Sequence, residues 1–227
     1  MNIKYYKVGG CVRDQIMGIP SKDIDYSVEA PSYEAMRDDI IAKGGKIYLE
    51  TPQYTTIRAK FLGDDADFVL CRKDGQYKDG RRPESVSIGT LYDDLARRDF
   101  TMNAIAIDEN GEMIDPFNGV EDIQVGIIRC VGSVDRLYED SLRMIRAIRF
   151  CITKNMAMDI DIMDILETKY HLLENLPVER IRDELYKMFD CNTIETMNIL
   201  NTYSGIRDQI FKRNIQLVPT ITSVKNA

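Results

Sequence analysis

Short alternating runs fill the first part of the chain, and helical spacing takes over in the second. Tyr5 to Val8 predicts the end of a strand, and Gly9-Gly10 breaks it. Cys11 to Met17 predicts a short helix, ended by Gly18 and Pro20. Asp23 to Val28 alternates with period two and is rich in strand formers, which predicts a strand. Ser32 to Ala42 predicts a helix with Pro31-Ser32 at its start. Thr56 to Phe61 and Asp67 to Cys71 predict two more strands around a turn at Gly63-Asp64-Asp65, and Ile105 to Ile107 another. Asp74 to Ser87 is polar, with Gly75, Gly80 and Pro83, and predicts a mobile loop. Beyond a boundary near Gly132–Asp135, Val134 to Phe150, Ile160 to Leu173 and Val178 to Phe189 have helical spacing. Ile210 to Ala227 is weakly patterned. The pattern is that of a mixed sheet with helices, of α/β or α+β type, followed by an all-helical part.

Composition narrows the function classes. The 227 residues are 44% hydrophobic and 30% charged, which is enough to bury a core in one large domain or two small ones. No apolar run approaches the roughly 20 residues of a membrane span. The start lacks a basic region followed by an apolar core, so neither a membrane nor a secreted protein is expected. Five scattered cysteines, no CxxC pair and a single histidine, His171, disfavour zinc and predict reduced thiols in a cytosolic compartment. The net charge of −7 speaks against broad phosphate-backbone binding. The charge is uneven, however. Arg72 to Arg98 and the series Arg143, Arg146, Arg149 are locally basic.

The candidate chemistry begins at Lys22-Asp23-Ile24-Asp25. On a strand, Asp23 and Asp25 point to one face, and two adjacent carboxylates call for a cation such as Mg²⁺. A bare DxD is more often a solvated strand face, but here Gly9-Gly10-Cys11-Val12-Arg13-Asp14 precedes it. Paired glycines let a backbone approach a ligand, and Arg13 can hold phosphate in bidentate fashion, so a triphosphate–metal site is the better reading. Asp67 either completes a carboxylate triad, if its strand lies antiparallel to Asp23–Val28, or closes the acidic turn. In Arg97-Arg98-Asp99-Phe100-Thr101-Met102-Asn103-Ala104, Arg98 or Arg97 can hold phosphate, and Asp99 and Asn103 a sugar or the opposing loop; the plainer alternative is a solvated helix end. Arg143, Arg146 and Arg149 recur at i, i+3 and i+6 and form a basic helix edge one turn after Asp140. Three arginines without a lysine suggest planar recognition of phosphates or base edges.

In order along the chain, GGCVRD, the KDID pair, DGRRP at Asp79–Pro83, RRDFTMNA, DPFNG at Asp115–Gly119, EDSLRMIRAIRF and PVERIRDE at Pro177–Glu184 resemble the class II tRNA nucleotidyltransferases, the family of CCA-adding enzymes and bacterial poly(A) polymerases. The resemblance implies an α+β nucleotidyltransferase head over 1–133, a helical neck over 134–190 that recognises the base, and a short, truncated helical body or tail over 191–227. It implies cytoplasmic transfer of CMP and AMP from CTP and ATP to an RNA 3′ end, with tRNA as substrate and no DNA. Asp23 and Asp25 match the Mg²⁺-binding carboxylates, and Asp67 a third acidic strand position. Gly9, Gly10, Arg13, Arg98, Asp99 and Asn103 fall in the triphosphate and sugar motifs. Asp140 and Arg143 match the pair that reads the base edge, and Arg146 and Arg149 the further neck arginines. An Asp acceptor with an Arg donor fits the amino-bearing edges of cytosine and adenine and rejects uracil and guanine. A poly(A) polymerase or A-adding enzyme is the close alternative, and an inactive RNA- or nucleotide-binding module the distant one.

Overall fold

The computed structural model describes residues 3–21, 24–75, 85–213 and Ile215. The chain divides into two compact units. One comprises residues 1–140 with Ala157–Asp159, the other Ser141–Met156 with the residues from Ile160 onward.

The first unit runs β1 (Lys4–Val8), α1 (Gly10–Ile16), β2 (Ile24–Glu29), α2 (Tyr33–Ala42), β3 (Lys46–Thr51), β4 (Thr56–Phe61) and β5 (Asp64–Leu70). The hairpin β6 (Arg72–Asp74) and β7 (Val86–Ile88) follows, then α3 (Leu91–Ala96), β8 (Ala106–Ile107), β9 (Met113–Ile114), α4 (Gly119–Val125), β10 (Ile127–Ile128), α5 (Arg136–Glu139) and β11 (Ala157–Met158). Seven strands form one mixed sheet in the order β3-β4-β5-β2-β1-β8-β9. Strands β2 and β5 run parallel, and the other neighbours run antiparallel.

Strand alternation sends side chains to two cores. Tyr5, Tyr26, Val28, Ile57, Phe61 and Phe68 face Met36 and Ile40 of α2. Tyr6, Val8 and Ala106 lie in a second cluster with Leu91 and Leu95 of α3. Ser32 caps α2 by accepting from the Ala35 amide at 3.1 Å. Asp115 accepts from the Gly119 and Val120 amides at 2.8 and 2.9 Å and so caps α4, while the Thr101 carbonyl leaves no room for a Cβ on Gly119. The DPFNG run is thus a structural joint that clamps α4 onto the turn Thr101–Asn103.

In the second unit, α6 (Leu142–Lys154), α7 (Ile160–Thr168), α8 (Val178–Cys191), α9 (Thr193–Thr202) and α10 (Ser204–Phe211) are helices, with a 3₁₀ turn at Tyr170–Asn175. Gly205 lies against the Tyr170 ring with no room for a Cβ, and Arg213 donates to the carbonyls of Leu176, at 2.6 Å, and Leu173. His171 is exposed. No helix among the described residues is long and apolar enough to cross a membrane.

Several elements differ from expectation. The helix expected over Val134–Phe150 is broken: Asp140 is extended, with φ −145° and ψ 102°, between α5 and α6. The turn between β4 and β5 is Leu62-Gly63, both at positive φ as a tight hairpin of this kind requires, so Asp64 and Asp65 belong to the strand. The ends of the expected loop Asp74–Ser87 pair as β6–β7, and Asp79–Pro83 lies outside the described residues.

Tyr6 donates to Glu29 Oε2 at 3.3 Å, and burial followed by the Glu29 charge pushes its phenol up to about 12. Burial and a hydrogen bond to Glu50 push Tyr33 up to about 12 as well. A raised folded-state pKa means stabilisation that is complete below the free-tyrosine value of about 10 and lost as the pH rises through 12. Ultraviolet titration of the folded protein should therefore show a late phenolate phase that Tyr6→Phe diminishes. Simultaneous ionisation of all tyrosines near pH 10 would contradict these burial assignments.

Candidate active site

The site grows from the end of β1. Gly9 is the N-cap of α1, at φ 74° and ψ −132°, and its carbonyl accepts from the Arg13 amide at 3.0 Å. A Cβ on Gly9 would lie 2.8 Å from Arg98 Nη1 and 3.8 Å from Asp25 Oδ2. Backbone, guanidinium and carboxylate therefore converge on one point that a side chain would fill. The Arg13 guanidinium lies beside Gly10, 3.6 Å from where a Cβ there would stand.

Both arginines are held from behind. Buried Arg13 pairs with Asp14 at 2.8 Å and donates through Nη1 to Asn103 Oδ1 at 2.7 Å. Asn103 Nδ2 donates to Asp99 Oδ1 at 3.0 Å, and the Asn103 carbonyl accepts from Arg98 Nη1 at 3.1 Å. Asn103 and Asp99 are 6% and 7% exposed; of the two roles expected, sugar or opposing loop, the bond of Asn103 to Arg13 is to the opposing segment, and Asp99 backs Asn103. Arg98 Nη2 donates to Asp94 Oδ2 at 3.0 Å and to Ser27 Oγ at 3.3 Å. Asp94 is fully buried; burial would push its carboxyl up, but Arg98, Arg97 and the Ser27 hydroxyl hold it below the usual range.

Across the sheet, Asp25 of β2 and Asp67 of β5 are register partners. The pairing is parallel, not the antiparallel one expected for a carboxylate triad, yet it sets the two positions side by side on one face. Arg58 of β4 is Asp67's partner on the far side and binds it in bidentate fashion, Nε–Oδ1 at 2.5 Å and Nη2–Oδ2 at 2.7 Å. Asp23 lies outside the described residues, and among the described residues no group of three or more His, Cys, Asp and Glu could hold a metal ion. The donors on offer, Asp25 and Asp67, are hard oxygens, and they fit Mg²⁺ and not a thiol- or imidazole-seeking metal. Cys11, half-buried, donates to the Val8 carbonyl, and burial pushes its thiol up.

Asp140 ends the first unit as the extended residue after α5. The three neck arginines lie on α6 of the second unit. Arg143 is 9% exposed. Arg149 Nε binds Glu184 of α8 and its guanidinium carbon lies 3.8 Å from the centre of the Phe150 ring, while Arg146 approaches Glu184 at 3.7 Å. Glu184, 4% exposed, also takes Lys187 at 3.3 Å. Sequence reasoning missed Asp94, Ser27, Arg58 and Glu184 as partners of these arginines and acids. The Asp94 link was open to reading, because Arg97 and Arg98 follow it at i+3 and i+4.

A family described as the poly A polymerase head domain matches residues 5–129. The CCA-adding enzyme of Geobacillus thermodenitrificans is 40% identical over 185 residues, 81% of this chain and 45% of the relative. That of Bacillus mycoides is 42% identical over the same shares. The structure of the Bacillus stearothermophilus CCA-adding enzyme in complex with CTP superposes with a TM-score of 0.77 at 33% identity, over 90% of this chain and 49% of that one. A tRNA nucleotidyltransferase complexed with a primer tRNA and an incoming ATP analog gives 0.78 at 27% identity, over 95% and 61%. The chain thus spans about half the length of the curated relatives it matches.

Gly9→Ala should cost about 1–3 kcal/mol, because a side chain is strained in this positive-φ conformation that glycine adopts freely. Its methyl group should also displace Arg98. Urea unfolding measures the cost, and an unchanged midpoint would show that the conformation at Gly9 is not enforced.

Proposed function

Because the chain belongs to the poly A polymerase head domain family, we propose that it transfers CMP and AMP from CTP and ATP to an RNA 3′ end in the cytoplasm, as CCA addition to tRNA or repair of its end. The observation that carries this reading is the convergence of Gly9, Arg98 and Asp25 on one point too tight for a Cβ, with Arg13 beside the neighbouring Gly10. In this reading the nucleotidyltransferase head is 1–133, the base-recognising neck is 134–190, and the short body begins at 191 with α9 and α10.

Gly9 and Gly10 leave room for the triphosphate against the backbone, and Arg98 and Arg13 bind its oxygens in the pose that Asp94 and Asn103 enforce. Enzymes of this family generally use divalent metals, and here Asp25, with Asp23 and Asp67, would hold Mg²⁺. Bound there, it supplies charge neutralisation on the transferring phosphate and a lowered pKa for the RNA hydroxyl. The RNA 3′-oxygen attacks the α-phosphorus and gives up its proton to water. The bond from that phosphorus to the β-phosphate bridging oxygen breaks, and pyrophosphate leaves with the electron pair. Asp140 accepts from the exocyclic amino group of cytosine or adenine, and Arg143 donates to an acceptor on the same edge. That assignment rests on the match of EDSLRMIRAIRF to the family's motif. Arg146 and Arg149, tied to Glu184, support the same helix. The family's description favours one second reading, repeated addition of AMP as a poly(A) polymerase.

Labelled tRNA ending before CCA, incubated with Mg²⁺ and CTP, ATP or both, should gain C, C and A and then stop on a single-nucleotide gel. A long A ladder would replace this reading with the second, and no extension of any RNA would leave a binding module. Asp23→Ala and Asp25→Ala should abolish transfer while the protein stays folded; near-normal transfer by either would sink the metal assignment. Arg143→Ala should cut the preference for CTP and ATP over UTP and GTP by about tenfold or more, from the roughly 1–3 kcal/mol that a good base-edge pair contributes. An unchanged preference would remove Arg143 from base reading.

A further inference from the structure

Asp94 is fully buried on α3, a two-turn helix whose start is fixed by the Thr90–Asp93 capping box. Its carboxylate takes Ser27 Oγ at 2.6 Å and Arg98 Nη2 at 3.0 Å on Oδ2, and Arg97 Nε at 3.0 Å on Oδ1. One buried anion thus holds two cations. A buried ion cluster is weak evidence for stability, since a packed apolar group often serves the fold as well or better. What the cluster does supply is orientation. Arg98 is gripped at Nη2, its Nη1 reaches the Asn103 carbonyl, and that same Nη1 stands over Gly9. Ser27 also bonds both Asp94 and Arg98, and it sits two residues after Asp25, so it shares Asp25's face of β2. Through Ser27, the strand that presents the carboxylate and the arginine that reads the anion become one rigid piece.

We infer that Asp94 is a positioning residue: it never touches the nucleotide, and with Ser27 as strut it locks Arg98 over Gly9 in register with Asp25, so that the triphosphate meets a preformed site. This rests on the nucleotidyl-transfer reading, in which Arg98 binds the triphosphate. Two effects of removing the Asp94 charge oppose each other. A freed Arg98 must be immobilised when the anion binds, which weakens binding by about threefold to tenfold. A carboxylate that merely balanced charge would, once removed, leave the site more positive and tighten binding. The sign of the change therefore separates positioning from charge balance.

The test is calorimetric binding of sodium tripolyphosphate in the presence of Mg²⁺, with no base and no RNA, to the full chain and to Asp94→Asn, Ser27→Ala, Arg98→Ala and Asp94→Asn/Arg98→Ala, with thermal melts of each. Asp94→Asn should weaken binding by about threefold to tenfold, and Arg98→Ala by at least as much. The double variant should be no weaker than Arg98→Ala alone, because Asp94 acts through Arg98. A folded Asp94→Asn that binds as tightly as the natural chain or tighter, or additive losses in the double variant, would overturn the inference. Should Asp94→Asn not fold, Ser27→Ala decides, since it removes one hydroxyl and keeps all three charges: about threefold weakening supports the strut, and unchanged affinity overturns it. A natural chain that binds no tripolyphosphate overturns the transfer reading and this inference together. Binding by the natural chain that Asp94→Asn leaves unweakened overturns the inference alone.

Discussion

The parallel pairing of β2 with β5 is the constraint on which the site depends. The same ladder builds two things on its two faces. On one face, Tyr26 and Phe68 are register partners, and their rings stack with centroids 5.0 Å apart and planes within 5°. On the other, Asp25 and Asp67 are partners one residue earlier. Because side chains alternate, a slip of one residue would turn the aromatic pair toward the site and bury the carboxylates among Tyr5, Phe61 and Met36. The aromatic core thus enforces the register that aligns the acids. The chain between the two strands, α2, β3 and β4, also brings in Arg58, the bidentate partner of Asp67.

The charges follow a second rule, in which one buried carboxylate orients several cations. Asp94 does so for Arg97 and Arg98, and Glu184 for Arg146, Arg149 and Lys187. Asp122 binds Arg129 and takes the Thr101 hydroxyl at 2.6 Å, which ties the RRDFTMNA segment to α4. The net charge of −7 counts these carboxylates at full weight although they face inward, where they hold guanidinium groups. A bulk charge balance says little about a surface when some of the acids it counts are interior and paired.

What the sequence made legible follows the range of the interactions. Period-two alternation marked β2, and the glycine pair with its helix marked α1, because those signals are local. β3 escaped because Ile47-Tyr48-Leu49 runs apolar without alternation across a register irregularity, and α3 and α4 because two turns of helix or fewer carry little period. The break at Asp140 escaped because the spacing of Leu142, Ile145 and Ile148 continues smoothly from Val134 while the backbone does not. In the site, residue types were readable and roles were not. Asp99 and Asn103 were expected to hold a sugar or the opposing loop, and it is burial that shows Asn103 holding Arg13 and Arg98 with Asp99 behind it. Arg58 was invisible, since only the β4–β5 register places it on Asp67.

The brace network also explains why the arginine motif must follow the glycine motif at long range. Asn103 reaches Arg13 with its side chain and Arg98 with its carbonyl, so one short 3₁₀ turn sets both guanidinium groups. That turn is in turn pinned by Asp122 on Thr101 and by Gly119 pressed against the Thr101 carbonyl. A Cβ at Gly119 therefore acts at a distance: it would lift the turn and, through Asn103, misplace both arginines without touching either. From Gly9 to Asp122 these groups fall within the residues 5–129 that the family shares. Placing Arg13 and Arg98 is accordingly a property of the first unit's own packing.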